Sequence, residues 1–356
     1  MTSDARKPER SSHSSLERGR GLLLGGAVGD ALGAPVEFLR RTEILDRFGP
    51  EGITQFSPAY GRLGAITDDT QMTLFTLEGL IRAAVRQHHR GICHPPNLID
   101  GAYRRWFATQ SENPSKAKDF DGWLIGVPEL WSRRAPGVTC VSALADTSRS
   151  VGQAARNDSK GAGGIMRVGP IGLYVNRPFE LACEAAALTH GHVTGIVAAG
   201  WFADWISEVA QGQPFVVAAE AAWSRCLGRA PELDRALAGA LALIPGGPAP
   251  ELPRTLGEGW IAEEAAAIAL WCVATEPDPM TAVRLAVNID GDSDTTGSLV
   301  GQVLGAAYGT SWIPDSFLAD LELAAVMEVL AKDAEGVFKQ RVSLENPEAL
   351  RRYPPG

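Results

Sequence analysis

Apolar side chains recur three and four residues apart in stretch after stretch of this chain, and alternation with a period of two is nearly absent. The first pattern lays an apolar stripe along a helix, whereas a half-buried strand needs the second. From Leu16 onward the helical pattern covers 16–34, 67–90, 97–110, 141–157, 180–191, 193–211, 215–227, 231–243, 258–274, 279–288, 294–309 and 316–334. Breakers such as Pro95-Pro96, Ala135-Pro136-Gly137, Pro245-Gly246-Gly247-Pro248 and Glu276-Pro277 separate these stretches. Abundant Ala and Leu, against few β-branched residues, point the same way. The expected fold is all-α, with no repeat of the fixed period a solenoid needs. Residues 1–15, rich in Ser, Arg and Lys, are expected to be a disordered tail. One compact many-helix domain should fill 16–340, with 244–257 as a long surface loop and 341–356 as a C-terminal tail.

Two of the helical stretches open on acidic clusters, Thr67-Asp68-Asp69-Thr70 and Asp292-Ser293-Asp294-Thr295. A Thr or Asp before an amphipathic run is an N-cap signature, and extra acid there complements the helix dipole. Four carboxylates with threonine hydroxyls are also hard oxygen donors suited to Mg²⁺ or Mn²⁺. If the two helix starts meet, they can hold a pair of such ions. The overall balance agrees: the formal charge is −9 and no long basic run occurs, which disfavours nucleic-acid binding. Cys93, Cys140, Cys183, Cys226 and Cys272 are scattered, odd in number and without a C-x-x-C pairing, as expected of reduced thiols in a cytoplasmic protein. The apolar segment 21–34 follows two arginines like a signal peptide, but Asp30 and several glycines interrupt it.

Between the clusters lie further candidates. Glycines in Asn157-Asp158-Ser159-Lys160-Gly161-Ala162-Gly163-Gly164 would let backbone amides approach a diphosphate, although a plain turn reads the same way. The segment is neither a P-loop nor a dinucleotide fingerprint. His190 and His192 sit at a break between two helices and lack the further ligands zinc needs, so a substrate-facing or capping role is expected. Glu37 and Asp121 say little alone, though aromatics flank Asp121. Asp290, Asp292 and Asp294 alternate as in an EF-hand, but Thr295 and Gly301 replace its required Gly and Glu. A dehalogenase-like phosphatase motif at Asp292 has no room for the sheet it requires.

Taken in order, these stretches resemble the ADP-ribosylglycohydrolase family, which contains dinitrogenase-reductase-activating glycohydrolase and the ADP-ribosylarginine hydrolases. The matching segments are Gly25–Gly33 with Glu37, Thr67–Met72, Ser159–Gly161 through Met166-Arg167, Leu188–His192 and Gly291–Thr295. The resemblance implies an all-helical orthogonal bundle with a binuclear Mg²⁺ or Mn²⁺ centre held by Thr67, Asp68, Asp69, Asp292, Asp294 and Thr295. It also implies that Ser159, Gly161, Gly163 and Gly164 hold the ADP-ribose diphosphate, with His190 near the substrate. Glu37 matches the family's acid beside the metals. Asp121 aligns with an acid that handles the scissile ribose. Ala162 departs from the family, which often carries Asn or Cys there, and Thr296-Gly297 replaces a common Ile-Ala.

The activity so implied is hydrolysis at the ribose anomeric carbon of an ADP-ribosylated acceptor, most naturally arginine on a protein, by a monomer. Glu37, Asp68 or Asp121 would supply the acid or base. Serine, nucleic-acid or metabolite adducts remain open as substrates, as do a non-enzymatic binding relative and a binuclear phosphoesterase.

Overall fold

Glycine recurs at every fourth position of the first helix, at 21, 25, 29 and 33, and again at 297, 301 and 305 near the other end of the chain. In the computed structural model, which describes residues 13–340 and 344–356, these two stripes face each other. The helices are α1 (Ser15–Gly33), α2 (Arg41–Phe48), α3 (Asp68–Arg90), α4 (Pro95–Thr109), α5 (Val138–Ala145), α6 (Gly169–Tyr174), α7 (Phe179–Ala187) and α8 (Val193–Ala210), then α9 (Phe215–Cys226), α10 (Pro231–Leu243), α11 (Ala262–Thr275), α12 (Pro279–Val287), α13 (Ser293–Tyr308), α14 (Asp315–Asp320), α15 (Ala324–Glu335) and α16 (Pro347–Arg352). Among the described residues there is no strand, only isolated bridges at Ala59–Arg62 and Gly161–Ile261. The all-α expectation holds.

The stripes set the position of everything else. A Cβ added at Gly29 would lie 1.9 Å from the Gly297 carbonyl oxygen, and one at Gly25 would lie 2.5 Å from that of Gly301. One at Gly33 would lie 2.4 Å from the Ser293 oxygen. Backbone therefore packs on backbone, and partner numbers fall as α1 numbers rise, so α1 and α13 run antiparallel. The end of α1 is thereby pressed against the start of α13. Asp30, one residue after Gly29, is buried and reaches the start of α3: both its oxygens accept from the Thr67 amide at 3.0 Å, and one also accepts from the Thr70 amide and hydroxyl. These contacts satisfy amides that an isolated helix start leaves without partners.

Three boundaries differ from the sequence reading. The stretch 141–157 is helical only to Ala145, because Asp146 turns the chain by accepting from the Ser148 amide and hydroxyl. The stretch 316–334 divides into α14 and α15. At the break Leu323 adopts φ +61°, and buried Glu322 accepts from the Ile66 amide and pairs with Arg62 and Arg134. The expected C-terminal tail is instead docked where described: the Tyr353 hydroxyl donates to Asp333 at 2.8 Å, and Arg82 donates to the Pro354 carbonyl. Of the N-terminal tail, 1–12 lies outside the described residues, and Ser14 already caps α1. No described helix is long and apolar enough to cross a membrane.

Candidate active site

The starts of α3 and α13 meet. The Thr295 hydroxyl donates to Asp69 Oδ2 at 3.2 Å, joining clusters 226 residues apart. Around this contact a pocket of about 180 Å³ is lined by Glu37, Asp68, Asp69, Asp292, Asp294 and Thr295, with Gly161, Gly163 and His190 on the opposite wall. Asp68, Asp292 and Asp294 are held by backbone amides. The Gly137 amide donates to Asp68 at 3.0 Å, and the Thr295 amide donates to Asp294 at 3.0 Å and Asp292 at 3.3 Å. Thr67 caps α3 by accepting from the Asp69 amide.

Asp30, Glu37, Asp68, Asp69, Asp292 and Asp294 are all buried, and among the described residues none forms an ion pair with Lys, Arg or His. Burial and mutual repulsion push these carboxyls up. Glu37 rises to about 11, first from burial and then from Asp294, Asp292, Asp68 and Asp30. Asp30 rises to about 7 by burial and then Asp294; Asp68, Asp69 and Asp292 rise well above the usual range, chiefly by burial. Such a concentration of buried acid without a basic partner is costly unless cations neutralise it. Two oxygens, Glu37 Oε2 and Asp69 Oδ1, are buried with no hydrogen-bond partner. Among the described residues no three His, Cys, Asp or Glu side chains close on one point as a finished cage. The carboxylates stand around the pocket walls, and the orphaned hard oxygens suit Mg²⁺ or Mn²⁺.

The opposite wall differs chemically. His190 is buried and pushed down to about 3 by burial and by Arg167, so the ring is neutral at physiological pH. Arg167 donates to the Thr189 hydroxyl at 2.6 Å, and that hydroxyl lies 2.8 Å from His190 Nδ1, against 3.5 Å from the Ala186 carbonyl. A hydroxyl accepting from a guanidinium turns its own hydrogen to the better acceptor, here Nδ1, which leaves the ring proton on Nε2. A Cβ added at Gly161 would lie 3.5 Å from that Nε2 and one at Gly163 3.4 Å from it, so Nε2 stands beside the glycine segment. The other histidine, His192, caps α8 by accepting from the Thr194 amide.

The glycine segment is only partly free. Gly161 N–H donates to the Ser159 hydroxyl and Ala162 N–H to the Trp260 carbonyl, which leaves Gly163 as the amide available on the pocket wall, and the predicted Gly164 lies outside the lining. Ser159 stands outside the pocket lining, bonded to Thr139. Lys160 ties the segment to α11 and α10 through Glu263 and Glu232.

Asp121 is not brought to this site. It accepts from Arg82 at 2.6 Å, and Arg82 lies fourteen residues beyond Asp68 on α3, about 21 Å at 1.5 Å per residue. The reason is Glu78. Buried mid-helix, it pairs with Arg105 at 2.6 Å and accepts from the Trp123 and Leu124 amides at 3.0 Å each, fixing the segment after Asp121 against the middle of α3. Sequence reasoning also leaves out Asp30 and Arg167, which position the acidic helix start and the imidazole. Their signals are a charge inside an apolar glycine-rich run and an Arg inside a buried stretch.

A sequence model of a family described as ADP-ribosylglycohydrolase matches residues 11–343. ADP-ribosylhydrolase ARH3 of Bos taurus is 26% identical over 92% of this chain and 94% of its own. ADP-ribosylarginine hydrolase Tri1 of Serratia proteamaculans is 26% identical over 86% of this chain and 76% of its own. ADP-ribosyl-[dinitrogen reductase] glycohydrolase of Rhodospirillum rubrum is 24% identical over 88% and 93%. A solved structure titled ADP-ribosylglycohydrolase-related protein complex superposes with a TM-score of 0.67 at 29% identity, covering 91% of this chain and 98% of that one.

Proposed function

The chain belongs to the ADP-ribosylglycohydrolase family, and we propose that it releases ADP-ribose from modified arginine on proteins with divalent cations held in the acid pocket. It is a hydrolase of glycosidic bonds. The observation that carries the finer reading is the Thr295–Asp69 contact, which gathers the two acidic clusters opposite Gly163 and His190.

Thr67, Asp68, Asp69, Asp292, Asp294 and Thr295 would hold Mg²⁺ or Mn²⁺, which supplies Lewis-acid stabilisation and lowers the pKa of a bound water. The remaining chemistry belongs to the chain. Neutral His190 offers its Nε2 proton, and the Gly163 amide offers its own, to a phosphate oxygen. Glu37, buried beside the acids, holds or takes a proton at the bond being broken. The anomeric carbon gains positive character as the bond stretches, and the surrounding carboxylates favour it. Arginine is favoured because a guanidinium leaving group meets acidic walls, and because named ADP-ribosylarginine hydrolases match most of the chain.

The test is to incubate the purified protein with ADP-ribosyl-arginine, ADP-ribosyl-serine and a phosphoester, each with Mg²⁺ or with EDTA. Release of ADP-ribose from the arginine adduct, abolished by EDTA, is the expected result. Cleavage of the serine adduct alone would reassign the acceptor, cleavage of the phosphoester alone would reassign the reaction, and unchanged turnover in EDTA would end the metal proposal.

A further inference from the structure

We infer that a groove along the C-terminal part of α5 docks an acidic, partly apolar segment of the modified protein beside the active site. This inference rests on the proposed protein-hydrolase reading. The groove, of about 640 Å³, has apolar walls from Phe107, Phe120, Val141 and Leu144, with Lys116 and Arg133 at its rim.

Charge is the first argument. The chain carries 42 acidic and 33 basic residues, yet no carboxylate lines this groove. Lys116 and Arg133 are exposed, and among the described residues neither forms an ion pair; nearby Glu112 accepts from the Arg133 backbone amide, not the guanidinium. The third cation of the lining, Arg104, is already paired with Asp100. Phe120, in the same wall, is 40% exposed. Unpaired cations around exposed apolar surface complement a partner carrying acids among apolar side chains.

Continuity with the site is the second argument. The first turn of α5 supplies Val138, Thr139 and Cys140 to the acid pocket, and the rest of the helix supplies Val141, Leu144 and Ala145 to the groove. The loop leading from Arg133 carries the Arg134 carbonyl that accepts from the Asp68 amide and the Gly137 amide that donates to Asp68. Val138, 82% exposed, forms the lip between the two. Val138 and Ala145 stand seven residues apart on α5, about 10 Å at 1.5 Å per residue, and an extended chain advances about 3.3–3.6 Å per residue. Three or four residues therefore separate the modified side chain from the acids in the groove.

The experiment measures fluorescence anisotropy of a labelled, unmodified peptide, glutamates interspersed with leucine and phenylalanine, binding the full chain. Binding that tightens as salt is lowered is expected, with a loss of at least roughly tenfold in Lys116→Glu/Arg133→Glu. Lys116→Gln/Arg133→Gln covers the case in which charge reversal disturbs folding. Equal binding of a lysine-for-glutamate peptide, or no change in either double variant, would overturn the inference. So would a concentration-dependent dimer in sedimentation lost in the variants, since a second copy would then be the occupant. With the same peptide ADP-ribosylated on an arginine four residues from the acids, kcat/KM should fall in the variants while free ADP-ribosyl-arginine is cleaved as before; an equal fall on both would also overturn it. If the wild type cleaves neither substrate, the arginine reading fails, and the anisotropy still decides the groove.

Discussion

Replacing Gly29 by Ala should separate α1 from α13, and the cost can be worked from their spacing. The new Cβ would lie 1.9 Å from the Gly297 oxygen, whereas ordinary contact begins at 3.4 Å, so the helices must part locally by about 1.5 Å. Both facing groups are backbone, so no rotamer change relieves the clash. Overpacking of this kind costs about 3 kcal/mol, the upper end of the usual range, against about 1 kcal/mol of improved helix propensity. The net loss of about 2 kcal/mol corresponds to a fall of about 3 °C in Tm for a chain of this size. Gly239→Ala is the control, because that exposed glycine of α10 has nothing within 4 Å of an added Cβ and the same change should stabilise by up to about 1 kcal/mol. Differential scanning calorimetry and urea midpoints on both variants provide the measurement. Turnover of the Gly29 variant should also fall by roughly tenfold or more, because the seam ends where Gly33 meets Ser293 beside the acids. A Gly29→Ala protein as stable as wild type would refute the close-packing argument.

Other perturbations have equally definite outcomes. Asp69→Asn should keep an acceptor for Thr295 while relieving repulsion, so metal-free Tm should rise, turnover should be lost and stabilisation by Mg²⁺ should shrink. Glu37→Gln should retain Mg²⁺-dependent stabilisation but lose most of the rate, which calorimetry and single-turnover kinetics separate. In the metal-free protein the raised carboxyls bind more protons folded than unfolded, so stability falls as pH rises through their folded values. His190, depressed to about 3, opposes this only below its ordinary 6.5, so urea midpoints should decline from about pH 6.5 to 9, with Glu37 raised to about 11 carrying much of the fall, and Mg²⁺ should flatten the decline. Gly163→Ala would place a Cβ 2.9 Å from Cys140 Sγ and 3.1 Å from the His190 ring, and should raise KM for ADP-ribosylated substrates more than it lowers kcat. Asp121→Asn should leave kcat within about twofold, since its partner Arg82 stands far down α3 from the acids and its other partner, Arg105, belongs to α4.

The acidic helix starts are legible in the sequence because their cause is local. Thr67 and Asp292 do cap α3 and α13, and Asp292 also lines the pocket, so capping a helix does not keep a residue from facing the site. What brings the caps together is not local. It lies in the glycine stripes, whose spacing at every fourth residue is a close-packing signal; taken one helix at a time, the glycines of 21–34 read only as a diluted apolar run. Pairing α1 with α13 requires comparing segments more than 250 residues apart, which periodicity within one window does not do. The same limit explains Asp121, whose aromatic neighbours suggest a pocket wall. A buried mid-helix Glu78, legible only as one more helical residue, captures the backbone after it through the Trp123 and Leu124 amides. Side chains whose placement follows from their own helix start can therefore be assigned from sequence, and those whose placement follows from another element's polar side chain cannot. Asp30 belongs to the second kind. Its carboxylate completes the start of α3 from α1, so exchanging it for a residue that cannot accept would leave the Thr67 and Thr70 amides buried without partners and disturb the acids that follow.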